Sequence, residues 1–286
     1  MIEEHLAPPR RIVEIEVDGT VVRAPEDITL LEAMRRAGKD QPTLCYLENL
    51  TPVNTCRVCV VEVEGSRPLV PACSRRIEEG MVVSTKSDRV ATSRRLVFEL
   101  LASSVDLSLL DGGTVEWMDR YGVDAQRFPE PETVAQPVKI EDELYVRDYA
   151  KCILCYKCVE ACGEDAQNTF AIQVAGRGFA ATISTEFDVE LPESACVYCG
   201  NCIGVCPTGA LMFKSEFDMR DAGTWDESAQ TVTRTICPYC GVGCNLDLHV
   251  QDNEIIKVTS PLDHSTTNGH LCIKGRFGFQ HVQRRD

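Results

Sequence analysis

Apolar and polar residues alternate along Ile12–Val17, placing Val13, Ile15 and Val17 on one face of a predicted strand. Asp18-Gly19 supplies a hairpin turn, and Val21-Val22 starts the returning strand. The period then lengthens. Thr29 and Glu32 form a capping box ahead of a helix bearing Leu30, Leu31 and Met34, with Gly38 as its stop. Strands are predicted at 58–64 and 81–84. A helix is predicted at 88–102, with Val90, Leu96, Val97, Leu100 and Leu101 as its apolar positions. Asp252-Asn253, between apolar runs at 246–250 and 255–258, predicts a second hairpin. Two stretches carry neither period. One is 103–143, rich in Gly, Pro and acids and without Cys or His; the other is the polar 214–230. Both are predicted to be linkers.

Sixteen cysteines in 286 residues change this picture, because they divide into four sets of four. Sets of four suit tetrahedral thiolate metal sites and iron–sulfur clusters. Disulfides belong to secreted chains, and the N-terminus offers no signal core: Arg10-Arg11 is followed by the strand pattern, not by a hydrophobic run. No apolar stretch is long enough to span a bilayer, so a cytoplasmic chain with reduced thiols and no membrane contact is expected. The net charge of −15 disfavours nucleic acid as a partner despite the CxxC motifs.

The first set is Cys45, Cys56, Cys59 and Cys73, one close pair with two remote partners. That spacing suits a [2Fe–2S] cluster, in which each iron takes two thiolates, and a four-thiolate zinc site is the competing reading. The second and third sets, Cys152, Cys155, Cys158, Cys162 and Cys196, Cys199, Cys202, Cys206, repeat C-x2-C-x2-C-x3-C, with Pro207 after the last and 170–191 between them. Three closely spaced thiolates wrap one cubane, while the fourth belongs to the other cluster. Cys152, Cys155 and Cys158 are therefore assigned with Cys206 to one [4Fe–4S], and Cys196, Cys199 and Cys202 with Cys162 to another. The fourth set, Cys237, Cys240, Cys244 and Cys272, reads alone as a zinc ribbon or a [4Fe–4S] site; Gly241 and Gly243, which let backbone approach a bulky group, and the neighbouring sets favour the cluster. No nucleophile–base pair, Walker loop or GxGxxG is present, Gly176-Arg177-Gly178 is read as a turn, and His5, His249, His264, His270 and His281 show no ligand spacing. No catalytic residue is assigned.

The run PTLCYLENLTPVNTCRVCVVEVEGSRPLVPAC resembles the N-terminal domain of the complex I 75-kDa subunit, also found in NAD-linked hydrogenases and formate dehydrogenases. TFAIQVAGRGF, CVYCGNCIGVCPTGAL, TICPYCGVGCNLDLHV and GHLCIKGRFGF resemble the iron–sulfur region of cytosolic NAD-dependent formate dehydrogenases with a molybdenum or tungsten bis-pterin. The resemblance implies an α+β chain. It would comprise a β-grasp [2Fe–2S] ferredoxin domain (10–102), a linker (103–143), a bacterial-type two-[4Fe–4S] ferredoxin domain (144–213) and a small β-rich [4Fe–4S] domain of the molybdopterin oxidoreductase type (231–286). It further implies one [2Fe–2S] and three [4Fe–4S] clusters carrying electrons between a catalytic Mo/W-pterin subunit and a flavin subunit with FMN that reduces NAD. Lys274 matches the lysine that lies between the last cluster and the pterin in that family. An NAD-linked hydrogenase or another molybdopterin oxidoreductase is the alternative. Two departures stand out. The family's H-x3-C-x2-C-x5-C site has no counterpart in 100–121, where Ser104, Ser108 and Asp111 are poor substitutes for thiolates, and the sequence ends soon after Cys272. The expectation is a catalytic part on a separate chain, docked on an open apolar face of the last domain.

Overall fold

A computed structural model describes residues 10–283, which gather into two compact units. The first holds the chain through Cys45, Pro52–Leu100 and Gly112–Phe128; the second holds Tyr46–Thr51, Leu101–Asp111 and the chain from Pro129.

The first unit is built on a five-stranded sheet. Strands β1 (Ile12–Val17) and β2 (Thr20–Pro25) form an antiparallel hairpin that closes at Val17↔Thr20, and the whole alternating face of β1 is buried. Asp18, in left-handed conformation (φ 48°), accepts hydrogen bonds from the Thr85 amide at 2.8 Å and hydroxyl at 2.7 Å, which ties the turn to the end of β5. Helix α1 (Leu30–Arg36) has its capping box: Glu32 N–H donates to Thr29 Oγ1 at 3.2 Å, and Thr29 N–H to Glu32 Oε2 at 2.7 Å. Its first-turn amides at Leu30 and Leu31 donate to the carbonyls of Arg75 and Ala72, so the helix start fixes the loop carrying Cys73. Strands β3 (Val60–Val63), β4 (Val70–Pro71) and β5 (Val82–Ser84) complete the sheet in the order β2-β1-β5-β3-β4, with β1 and β5 parallel.

Helix α2 (Asp88–Ser104) forms where predicted but buries a different stripe. Val90, Arg94 and Phe98, spaced at four residues, face inward with Glu99, whereas Leu100 is 53% exposed. The guanidinium of Arg94 decides the orientation: its Nε and Nη2 donate to the Val60 carbonyl and Nη1 to Tyr121 Oη at 2.6 Å. Val60 directly follows Cys59, so this cation pins the strand leaving the first cysteine set. Arg94→Ala is expected to cost about 2–3 kcal/mol by orphaning that buried carbonyl. Denaturant midpoints at unchanged slope check it.

The predicted linker 103–143 holds helix α3 (Gly112–Arg120). Its aromatic residues explain the difference: Trp117 stacks on Tyr121 (centroids 6.0 Å apart), Tyr121 on Phe98 (6.4 Å), and Arg120 lies over the Trp117 ring.

In the second unit, β6 (Tyr145–Arg147) pairs antiparallel with β9 (Leu211–Phe213), joining the two ends of the cysteine repeat. Between them lie the short helices α4 (Lys157–Cys162) and α5 (Asn201–Gly204) and a hairpin of β7 (Gln173–Ala175) and β8 (Thr182–Ser184), so Gly176-Arg177-Gly178 is in the connecting turn. Tyr145, Tyr149, Ile172, Ile183, Phe213 and Phe277 make the core, with cysteine side chains packed against it. The predicted linker 214–230 is helical over α6 (Lys214–Asp221). Ion pairs Lys214–Asp218 and Arg220–Glu216 support the helix at i,i+4, and Lys257 reaches Glu216 at 2.8 Å. Strands β10 (Thr231–Ile236), β11 (Asn245–Gln251) and β12 (Glu254–Thr259) form a meander whose tight turn holds Asp252 and Asn253 at positive φ. Helix α7 (Ile273–Phe277) follows the last cysteine. Among the described residues no helix is long and apolar enough to cross a membrane.

Candidate metal centres

The first set folds into one quartet. Cys45 and Cys59 flank the ends of its loop, and Cys73 stands on the turn fixed by α1; these three are at most 3% exposed. Asn54 and Arg57, on either side of Cys56, take positive φ (63° and 62°), which curls the loop inward. The Cys56 and Cys73 thiols donate to Cys45, lowering its pKa to about 2 and raising their own. Cys73 also donates to Cys59, pulling it down to about 7 against burial. Four sulfurs that already share protons at contact distance can exchange those protons for metal.

The second and third sets repeat the same backbone. Leu154 and Tyr156 have φ of 51° and 66°, and at equivalent places Tyr198 and Gly200 have 57° and 69°. The left-handed residues turn the loop around a centre and aim amides at sulfur: Leu154 N–H to Cys152 Sγ and Tyr198 N–H to Cys196 Sγ, both 3.4 Å. The fourth cysteine of each repeat receives amides as well, Ala171 N–H to Cys162 at 3.2 Å and Leu211 N–H to Cys206 at 3.5 Å.

Two internal cavities sit among these residues. Cys162, Cys196, Cys199 and Cys202 line one of about 30 Å³. Cys152, Cys155, Cys158 and Cys206 line the other, of about 20 Å³. Each draws three cysteines from one repeat and the last from its partner. Close-packed interiors do not keep such spaces without cost, and here four thiols line each of them together with aliphatic and aromatic side chains. Burial pushes Cys152 and Cys196 up to about 11 and Cys155 to about 12, and raises Cys158, Cys199 and Cys202. Metal must therefore displace protons to bind.

The fourth set lines an open cavity of about 330 Å³: Cys237, Cys240, Cys244 and Cys272, with Lys274 in its wall. Cys237 N–H donates to the Cys244 carbonyl at 2.8 Å, closing the loop, and Gly243 makes the turn at φ 70°. Cys237 is buried, whereas Cys240, Cys272 and Lys274 are exposed. Among the described residues no three His, Cys, Asp or Glu converge on a point that would hold a single metal ion. The cysteines of the second, third and fourth sets instead line cavities. The positions of Asn201 and Arg276 beside the third and fourth sets were not anticipated; the one hint in the sequence is a lone arginine inside the glycine-rich tract KGRFG.

Folded loops of this kind define a chain of iron–sulfur domains. Residues 10–88 match the 2Fe-2S iron-sulfur cluster binding domain family, 151–210 the 4Fe-4S dicluster domain, and 230–284 the molybdopterin oxidoreductase Fe4S4 domain. Among individual proteins, the chain is 34% identical to an NADH-quinone oxidoreductase subunit of Rhizobium meliloti (strain 1021), over 96% of its own length and 32% of the relative's. It is 28% identical to a Staphylococcus haemolyticus protein with the provisional name formate dehydrogenase, over 98% of its length and 31% of the relative's. A chain in the crystal structure of NAD+-reducing [NiFe]-hydrogenase, in the H2-reduced state, superposes with TM-score 0.57 at 25% identity, covering 71% of this chain and 87% of that one. The chain thus spans about a third of the length of the curated relatives it matches.

Proposed function

We propose that this chain is the electron-transfer part of a cytoplasmic NAD-linked formate dehydrogenase. It would carry one [2Fe–2S] on a β-grasp domain, two [4Fe–4S] on a bacterial-type ferredoxin domain and a third [4Fe–4S] on the molybdopterin-type domain. The ligands are Cys45, Cys56, Cys59 and Cys73; Cys152, Cys155, Cys158 and Cys206; Cys162, Cys196, Cys199 and Cys202; and Cys237, Cys240, Cys244 and Cys272. The observation that supports this reading is three cavities lined by four cysteines each, two of them drawing cysteines from both repeats, beside the close-set Cys45, Cys56, Cys59 and Cys73. Bound clusters supply one-electron carriage; the protein supplies burial, amide donors and order along the chain. Lys274, in the wall of the exposed fourth site, would face a Mo/W-bis-pterin held by the catalytic part. The exposed Val232, Ile236, Val242 and Ile273 would receive that part. The first domain would face the FMN- and NAD-binding subunit.

Formate is favoured by the fourth site together with similarity, over nearly all of this chain and about a third of the relative, to a formate dehydrogenase by name. A second reading, an NADH-linked oxidoreductase with another electron donor or acceptor, is favoured by the higher identity to the quinone oxidoreductase subunit. Anaerobic purification from the native host tests both. The expected result is a brown preparation with about fourteen iron atoms per chain, copurifying Mo or W, and formate-dependent NAD reduction. About ten iron atoms or fewer would sink the four-cluster assignment. Full iron without formate turnover would leave the second reading.

A further inference from the structure

Arg276 is completely buried, in α7, and no carboxylate of the described residues pairs with it. Its partners are neutral oxygens. Nε donates to the Cys199 carbonyl at 3.3 Å, Nη1 to the Val258 carbonyl at 3.3 Å, and Nη2 to Asn201 Oδ1 at 3.1 Å. Asn201 Oδ1 also accepts from Leu271 N–H at 2.9 Å, so one amide side chain seats both the guanidinium and the approach to Cys272. The Arg276 backbone N–H donates to the Cys272 carbonyl at 3.0 Å. The aliphatic stem crosses Gly200 so closely that a Cβ there would stand 2.9 Å from Arg276 Cγ, and one on Gly204 would meet Nη1 at 3.4 Å. Residues next to two ligands of the third set and one of the fourth are thus arranged around a single cation.

Burying an unpaired guanidinium is costly. The missing counter-charge would come from the cluster sites themselves, because the proposed ligands Cys199 and Cys272 accept hydrogen bonds from the Arg276 side chain and backbone. A four-thiolate [4Fe–4S] site is anionic, and its negative charge grows by one when it accepts an electron.

We infer that Arg276 is a fixed cation shared by the third and fourth cysteine sites, which holds the potentials of both clusters up and couples them electrostatically. It is a positioning residue, not a catalytic one, and the inference rests on the cluster assignment above. Lys274, two residues earlier, cannot serve the same end because it is exposed. With the cation in place, reduction of either cluster is favoured, and an electron on one makes reduction of the other less favourable than the cation alone would allow.

The test is EPR-monitored redox titration of the intact chain, with iron counting, for the wild type, Arg276→Lys, Arg276→Gln and Arg276→Met. The neutral variants should lower two [4Fe–4S] midpoints by at least a tenfold change in reduction equilibrium, 59 mV for one electron. The [2Fe–2S] midpoint stays as an internal reference, and Arg276→Lys stays near wild type. If the neutral variants lose the two clusters while Arg276→Lys keeps them, the requirement for charge is equally supported. Unchanged midpoints in iron-replete neutral variants, or the same loss in all three variants, would overturn the inference. Absence of [4Fe–4S] signals from the wild type would remove the cluster assignment as well.

Discussion

Cys206→Ser is expected to abolish the cluster built on Cys152, Cys155 and Cys158 and to spare the one built on Cys196, Cys199 and Cys202, its own sequence neighbours. About four of about fourteen iron atoms should disappear. Cys162→Ser should do the reverse. In each of the two cavities the fourth cysteine stands in the wall formed by the other repeat. Serine keeps the size but offers a hydroxyl that ionises far less readily than a thiol. The measurement is iron content with EPR of each variant, read against double variants such as Cys152→Ser/Cys206→Ser. If Cys206→Ser and Cys152→Ser remove the same signal, and the double variant removes nothing more, the crossed set stands. Loss of the Cys196-based signal in Cys206→Ser would refute it.

Stripping iron should unfold much of the second unit while the first keeps its sheet. Strands β6 to β9 have three residues each, and α4 and α5 have six and four. Elements this short are marginal without tertiary support, and cysteine side chains pack in and against the core around them. Metal binding energy therefore becomes folding energy. After anaerobic chelation, limited proteolysis should cut within 144–213 and leave 10–100 protected, where a five-stranded sheet and the buried face of β1 persist. Equal resistance of both units would count against this.

The pH dependence follows in sign. Cys152, Cys155 and Cys196 lie at about 11, 12 and 11 in the metal-free fold, above the ordinary 9.0. Whatever folded population remains without metal keeps their contribution in full below pH 9 and loses it as pH rises through the folded values. Iron loading must expel those same protons, so occupancy at fixed iron should rise with pH. Titration of iron uptake between pH 6 and 9 with proton-release calorimetry checks it.

Local chemistry was legible in the sequence, and remote pairing was not. Thr29 and Glu32 announce their helix because the capping box is complete within four consecutive residues. Asp252-Asn253 announce their hairpin for the same reason, and the spacing of Cys152 to Cys206 names the quartets. Strands Tyr145–Arg147 and Leu211–Phe213 are too short to show a period and exist because they meet across the repeat. Helix α2 misled because Arg94 turns inward to the Val60 carbonyl and Tyr121, while Leu100 is left exposed. Helices α3 and α6 were hidden in polar stretches, where aromatic stacking and ion pairs replace an apolar stripe. Arg276 was invisible because its meaning depends on Gly200, Asn201 and Val258, which only the fold brings to it.

The crossed cysteine walls also constrain how the protein is made. On the proposed ligand sets, neither quartet would be complete until Cys202 has been made, and the one begun at Cys152 would wait for Cys206. The earliest thiols of the pair of sites would therefore be made before the cysteines that complete them. Once closed, each cluster acts as a long-range cross-link, removing chain entropy between segments far apart in sequence. On the proposed ligand sets, maturation of this region would therefore follow synthesis of the second repeat.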